Sequence, residues 1–269
     1  MISILLSCYR SNFEYLKQQI DSIINQTEKD WELLVYDDGA GNIFGFLATF
    51  YPKEIWKKIF LFDEGHKGYA GAYNFLLSKA KGEYVCFCDH DDIWMPEKLA
   101  VEKKYLDENP NVDCVFSWLR WFGEKDKLEM FEISDEEISK ELFFYQPIKQ
   151  PSAMFRRNRF SNFDSPFDQA GDFWFWAKHK DRHYHLIKEF LVKYRRHPGE
   201  ATKDKTAFRE NSARVIQESF KNKFNICPSL EICKMLDPYS KTYNPELKDF
   251  VSKIITHVPY NNSISIGTI

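Results

Sequence analysis

The chain has 269 residues and a net charge of −3, with 43% hydrophobic and 17% aromatic side chains. That hydrophobic share is ordinary for a globular protein, so a sizeable core is available, and the near-neutral charge gives no general affinity for nucleic acid. No run approaches the ~18 apolar residues of a membrane-crossing helix, residues 1–6 lack a basic leader, and the six cysteines show neither disulfide-framework density nor paired metal-ligand spacing. The expectation is a soluble, cytoplasmic protein in a reducing compartment.

Residues 2–6 form a short apolar run, consistent with a buried strand. Ser11-Asn12-Phe13-Glu14 reads as a capping box, and Leu16, Ile20, Ile23 and Ile24 follow at helical spacing. A second strand over residues 31–36 stops at the turn-rich Asp37-Asp38-Gly39-Ala40-Gly41-Asn42. A weaker helix and a break at Pro52 lead to a third strand over 58–62. Gly65, Gly68 and Gly71 punctuate a loop that enters a helix running to about Ala80, and residues 85–88 form a fourth strand. Strand and helix alternating at this spacing predict a mainly parallel sheet with right-handed crossovers. Pro96 opens a helix to about Glu108, and residues 114–121 read as one bent strand or a hairpin. Ser134-Asp135-Glu136-Glu137 is a second capping box, with Ile138 and Leu142 facing inward. Residues 152–155 are strand-like, Gly171-Asp172 begins a helix, and 184–187 and 190–194 are strand-like runs. Beyond about Lys203 the chain is helical and charge-rich, and the tail from Asn261 reads as frayed or as an interaction segment.

The chemistry concentrates at Cys88-Asp89-His90-Asp91-Asp92, where an apolar run ends in three carboxylates within four residues. Two like charges about 4 Å apart repel by roughly 1 kcal/mol in water and about 4 kcal/mol at an effective dielectric near 20. The cluster therefore needs a cation or full solvation, and a divalent metal serving a phosphate-bearing substrate answers the first need. On a continuing strand Asp89 and Asp91 share a side, and Asp92 joins them only if the chain turns. His90 reads as a filler or orienting residue. Asp37 and Asp38 suit a nucleobase imide or ribose hydroxyls, or else simply cap a turn. Lys67, in a glycine-rich loop without phosphate-loop spacing, offers charge to a diphosphate. Asp172, flanked by aromatics, is a general-base candidate or a helix cap. Tyr194-Arg195-Arg196-His197 suits a diphosphate or is a solvated basic loop.

Taken together these segments resemble the family 2 glycosyltransferases with the GT-A fold, from the N-terminus to about Thr202. Ile2-Ser3-Ile4-Leu5-Leu6-Ser7-Cys8-Tyr9-Arg10 is similar to the family's opening strand and Pro-x-Tyr-Asn loop, with Ser7 and Arg10 in place of the usual proline and asparagine. Trp31-Glu32-Leu33-Leu34-Val35-Tyr36-Asp37-Asp38-Gly39 resembles its second strand and nucleotide-binding acids, and the segment from Gly68 to Asn74 with Ala80-Lys81-Gly82-Glu83-Tyr84 resembles its "ARN…A-x-GEY" block. Asp89-His90-Asp91-Asp92-Ile93-Trp94-Met95-Pro96-Glu97-Lys98-Leu99 resembles the metal-binding DxD segment in its rhamnosyltransferase-like form. Gly171-Asp172 falls at the catalytic-base position, with glycine where an acidic residue usually precedes it, and Tyr194-Arg195-Arg196-His197 resembles the late "YR-x-H" segment.

The resemblance implies a Rossmann-like α/β fold with a mainly parallel central sheet flanked by helices. The glycosyltransferase domain would span 1–202, its nucleotide-binding half about 1–110 and its acceptor half about 111–202, with a helical C-terminal extension over 203–269. It implies inverting transfer of a sugar from a UDP- or dTDP-linked donor to a hydroxyl of a glycan or lipid-linked acceptor, in bacterial surface polysaccharide synthesis. Ser7, Tyr9, Asp37, Asp38, Lys67, Asn74, Asp91, Arg195 and Arg196 would bind the donor. Asp92, Asp91, Asp89 and His197 would hold Mn2+ or Mg2+, and Asp172 would be the catalytic base. The C-terminal helices are left to cover the acceptor cleft, to dimerise, or to make peripheral contact with the inner face of a membrane. Two other readings compete. A sugar nucleotidyltransferase normally carries a glycine-rich basic loop after its first strand, and Ser7-Cys8-Tyr9-Arg10-Ser11 has no glycine. A silent sugar-binding module would need neither Asp172 nor the acid cluster.

Overall fold

The computed structural model describes residues 1–167, 169–199 and 205–257. In chain order the elements are β1 (Ile2–Cys8), α1 (Phe13–Ile24), β2 (Trp31–Asp37), α2 (Ile43–Phe50), α3 (Lys53–Trp56), β3 (Ile59–Phe62), α4 (Gly68–Lys79), β4 (Tyr84–Cys88), β5 (Ile93–Trp94), α5 (Lys98–Glu108), β6 (Cys114–Gly123) and β7 (Lys127–Glu129). There follow α6 (Asp135–Glu141), β8 (Met154–Arg156), α7 (Gly171–Lys178), β9 (Tyr184–Arg196), α8 (Lys205–Phe224), α9 (Leu230–Leu236) and α10 (Pro245–His257). The tail from Asn261 lies outside the described residues.

The chain divides into two compact units. The first comprises Met1–Asp135, Ile148–Asp168 and Arg182–Glu200 and holds the sheet; the second comprises Glu136–Pro147, Gln169–Asp181 and Ala201–Ile269. The sheet order is β3-β2-β1-β4-β8-β6-β9-β5, with β7 paired to β6. The parallel half is β3-β2-β1-β4. Beyond β4 the pairing is mixed: β8 is antiparallel to both β4 and β6, β9 is parallel to β6, and β5 is antiparallel to β9. Every residue of β2 and β4 and all but Ser7 of β1 are buried, as expected for central strands covered on both faces.

Local chemistry places the boundaries. The cap of α1 is Asn12 and not Ser11: its Oδ1 accepts the N–H groups of Glu14 (2.9 Å) and Tyr15 (3.3 Å), and asparagine caps a helix as well as serine does. Pro96 does not open α5 directly. The chain first makes the two-residue strand β5, then a turn closed by Lys98 N–H on Met95 O. Residues 114–121 resolve as both alternatives, a long strand β6 that continues into a hairpin with β7. The two runs at 184–187 and 190–194 are one strand, β9, whose register on β6 shifts around Trp118 and so absorbs the intervening residues. Gly123 closes β6 at φ 93°, where an added Cβ would stand 2.5 Å from Arg196 O.

The second unit packs α6 to α10 around aromatic rings. Phe143 stacks on Phe224 at 6.1 Å, with the ammonium groups of Lys180 and Lys223 each 5.0 Å from its centroid. No helix among the described residues is long and apolar enough to cross a membrane. All six cysteines are free, and Cys227 is the exposed one.

Candidate functional site

Strand order reverses at β1, with β2 and β3 on one side and β4 on the other. Open α/β sheets bind ligands outside the carboxyl ends of their strands at such a point. Here those ends deliver Tyr9 and Arg10 from β1, Asp37 and Asp38 from β2, and the acidic turn 89–92 from β4. Ser7 lies on β1 opposite Tyr36.

The two acids of β2 differ. Asp37 Oδ1 accepts the N–H groups of Gly39 (3.1 Å) and Ala40 (2.9 Å), which closes the turn. Asp38 is buried; its Oδ1 accepts Lys67 N–H at 2.5 Å, and His66 Nδ1 lies 2.9 Å from its carbonyl oxygen and 3.2 Å from Oδ2. Both neighbours of Nδ1 are acceptors, so this network places the ring proton there. The His66 ring is in turn 5.1 Å from that of Tyr9, which is 45% exposed. Next to it Arg10 adopts φ 47°, a left-handed conformation that costs an L-residue about 1–2 kcal/mol. The Lys67 ammonium turns toward Glu64 (3.6 Å) and the rings of Tyr36 and Phe75 (5.9 and 5.5 Å), so Lys67 serves Asp38 through its backbone. Asn74 is half-buried on α4, and the neighbouring Tyr73 hydroxyl lies 3.0 Å from Cys88 O and 3.3 Å from Asp89 Oδ1.

Residues 89–92 form a turn between β4 and β5, so strand alternation does not govern their side chains. Asp91 stays accessible, and its Oδ2 lies 2.8 Å from His197 Nε2. His197 Nδ1 accepts the N–H of Gly199 at 3.1 Å, which puts the proton on Nε2, facing Asp91. Asp92 is 1% exposed; Oδ1 accepts Arg195 N–H at 2.9 Å, while Oδ2 has no partner. Burial, with Asp91 and Asp89 adding to it, pushes this carboxyl well above the usual carboxylate range. Burial likewise lowers the pKa of His90.

Arg195 organises the turn. Its Nε donates to Asp91 O at 2.7 Å, its Nη2 donates to Gln18 Oε1 at 2.5 Å, and its guanidinium is held between the rings of Tyr15 (4.1 Å) and Phe122 (4.3 Å). Its hydrogen bonds thus go to the protein itself. Arg196 lies over Trp121 at 4.5 Å. Below the turn, Lys98 and Glu102 form a fully buried pair at 2.7 Å, and the ammonium sits 4.3 Å from the Trp94 ring. Sequence reasoning gave no role to Tyr15, Gln18 and His66, because their partners lie far away in the chain, and none to Lys98 and Glu102, because their spacing is that of an ordinary helical pair.

In the second unit, Asp172 is the second residue of α7 and is half-buried. The cap position belongs to Ala170, at φ 64°, and Asp172 Oδ1 accepts Phe173 N–H at 2.8 Å. Among the described residues no group of three or more histidine, cysteine and acidic side chains is gathered as for a metal ion. The donor types nevertheless suit Mn2+ or Mg2+: a carboxylate and an imidazole in contact, beside a buried carboxylate oxygen without a partner.

Residues 3–179 match the family model described as Glycosyl transferase family 2. An uncharacterized glycosyltransferase of Methanocaldococcus jannaschii is 29% identical over 205 residues, covering 72% of this chain and 70% of that protein. The Escherichia coli UDP-Glc:alpha-D-GlcNAc-diphosphoundecaprenol beta-1,3-glucosyltransferase WfgD is 26% identical over 65% of this chain and 68% of its own length. Among solved structures, residues 1–349 of S. aureus TarS in complex with UDP-GlcNAc superpose with a TM-score of 0.65 at 16% identity, covering 95% of this chain and 73% of that one. That likeness is one of fold, of GT-A type.

Proposed function

This chain belongs to glycosyl transferase family 2, and from that premise we propose that it transfers a sugar, with inversion, from a UDP- or dTDP-linked donor to a hydroxyl of a glycan or lipid-linked acceptor. The observation that carries the reading is the convergence of Asp38, Asp91 and His197 on the carboxyl side of the sheet, beside its switch point. The UDP-GlcNAc bound by TarS and the lipid-diphosphate acceptor in the name of WfgD support the substrate classes.

In this reading Tyr9 offers its exposed ring to the nucleobase, and Asp38, fixed by Lys67 N–H, accepts from the base or ribose. Asp91 would hold Mn2+ or Mg2+, with Asp89 and the unpartnered Oδ2 of Asp92 alongside, and His197 would join them once Nε2 has given up its proton. Asp92 supports the turn from below through Arg195 N–H. When bound, the cation supplies Lewis-acid stabilisation of the charge that develops on the departing diphosphate. Asp172 takes the proton from the acceptor hydroxyl as that oxygen attacks the anomeric carbon.

A thermal-shift series with UDP-, dTDP- and GDP-sugars, each in Mn2+ and in EDTA, tests the donor class. A ligand at 100 times its Kd stabilises by about 2.7 kcal/mol, which corresponds to roughly 5–10 °C in a domain of this size. The expected result is such a rise with a UDP- or dTDP-sugar in Mn2+, absent in EDTA and absent in Asp91→Asn. Stabilisation by GDP-sugars alone overturns the donor class, and no stabilisation by any nucleotide overturns the reading.

A further inference from the structure

The carboxyl ends of β2 and β4 carry five acidic side chains, Asp37, Asp38, Asp89, Asp91 and the buried Asp92. A diphosphate entering among them meets repulsion from every side unless cations face it. The basic residues that the sequence points to are engaged elsewhere. Lys67 turns to Glu64 and two aromatic rings, Arg195 is held by Gln18, Asp91 O, Tyr15 and Phe122, and Arg196 lies over Trp121 at the end of β6.

Arg10 is different. It is exposed, and among the described residues no carboxylate lies within ion-pair distance of it. It sits two residues past β1, with its N–H 3.5 Å from Gly39 O, so it flanks the acids of β2. On the other side, β1 pairs with β4 up to Leu6 opposite Cys88, so the loop that carries Arg10 and the acidic turn leave the same end of neighbouring strands. Its guanidinium lies 5.1 Å over the Tyr9 ring, and Tyr9 touches His66, which Asp38 holds. The backbone is a second, independent sign. At φ 47° the chain keeps a long side chain in a conformation that asparagine or glycine holds at less cost. Strain of this kind collects at functional sites.

We propose that Arg10 is the guanidinium that contacts the donor diphosphate, its planar fork matching two phosphate oxygens. The inference rests on the reading of this chain as a user of nucleoside diphosphate sugars.

Calorimetric titration of UDP and of uridine, in Mn2+, into the full chain and into Arg10→Asn and Arg10→Lys tests it. Arg10→Asn should bind UDP roughly 10- to 100-fold more weakly, the range for losing a hydrogen-bonded charge, with uridine affinity unchanged and Arg10→Lys in between. The melting temperature of free Arg10→Asn should equal or exceed that of the parent, because strain is relieved. UDP binding by Arg10→Asn at parental strength overturns the proposal and leaves the glycosyltransferase reading standing. Equal losses for uridine and UDP assign Arg10 to the base instead and also overturn it. A parent chain that binds UDP no better than uridine removes the donor reading and the proposal together.

Discussion

Asp172→Asn should lower turnover by about 10²–10⁴-fold, the usual contribution of a general base, while the donor dissociation constant stays within about twofold. Asparagine keeps the shape of the side chain and an oxygen for Phe173 N–H, so α7 should still form. What is lost in the first turn is one favourable carboxylate at the helix N-terminus, about 0.3–1 kcal/mol. The variant therefore separates chemistry from folding. Single-turnover rates at saturating donor, with calorimetric donor binding alongside, provide the two readings. Turnover near that of the parent chain would move the base role to another residue.

The second large effect concerns the ground beneath the acidic turn. Lys98→Met should destabilise the protein by about 3–5 kcal/mol, because it strands one member of a buried ion pair. At 2–4 °C per kcal/mol for a domain of this size, the melting temperature should fall by roughly 6–20 °C. Both side chains are 0% exposed, Lys98 Nζ meets Glu102 Oε2 at 2.7 Å, and Glu102 Oε1 has no hydrogen-bond partner. Burial pushes the Glu102 carboxyl up to about 7, against the pull of Lys98. Between the ordinary carboxyl value of 4.5 and about 7 the folded state therefore keeps a proton that the unfolded chain has released. Stability from this group accordingly falls as pH rises through that window, and Glu102→Gln should remove that part of the pH dependence. The double variant Lys98→Met with Glu102→Leu fills the site without charge and should recover most of the loss. Urea midpoints at pH 5 and pH 8 for the three variants and the parent check both statements. A double variant as unstable as the single one would show that packing around Trp94, and not the stranded charge, sets the cost.

The parallel half of the sheet was legible because β1, β2 and β4 are continuous apolar runs that end in turn chemistry or acids. The acidic turn was legible for the electrostatic reason that three close carboxylates need an answer. In the mixed half the strand-like runs of β6, β8 and β9 were legible, but β5 and the antiparallel pairing of β8 were not, because two or three residues are too few to show a period. The division of labour within the turn was hidden as well. Asp91 and Asp92 are adjacent in sequence, and only the arrival of Arg195 N–H and His197 shows that Asp92 is buried against the strand while Asp91 stays accessible. Arg195 itself reads as a phosphate-binding side chain until Tyr15, Gln18 and Phe122 are seen to hold it. Nothing in the spacing of Lys98 and Glu102 distinguishes them from a solvated helical pair.

The family match ends at residue 179, whereas the strand that braces the acidic turn runs from Tyr184 to Arg196. During synthesis the acids of β4 emerge about a hundred residues before the arginine and histidine that hold them. A nascent chain that has exposed only residues 3–179 still lacks an organised acidic turn. Any ligand of that turn would thus find its place only after β9 has left the ribosome and docked, which ties ligand capture to the closing of this part of the sheet.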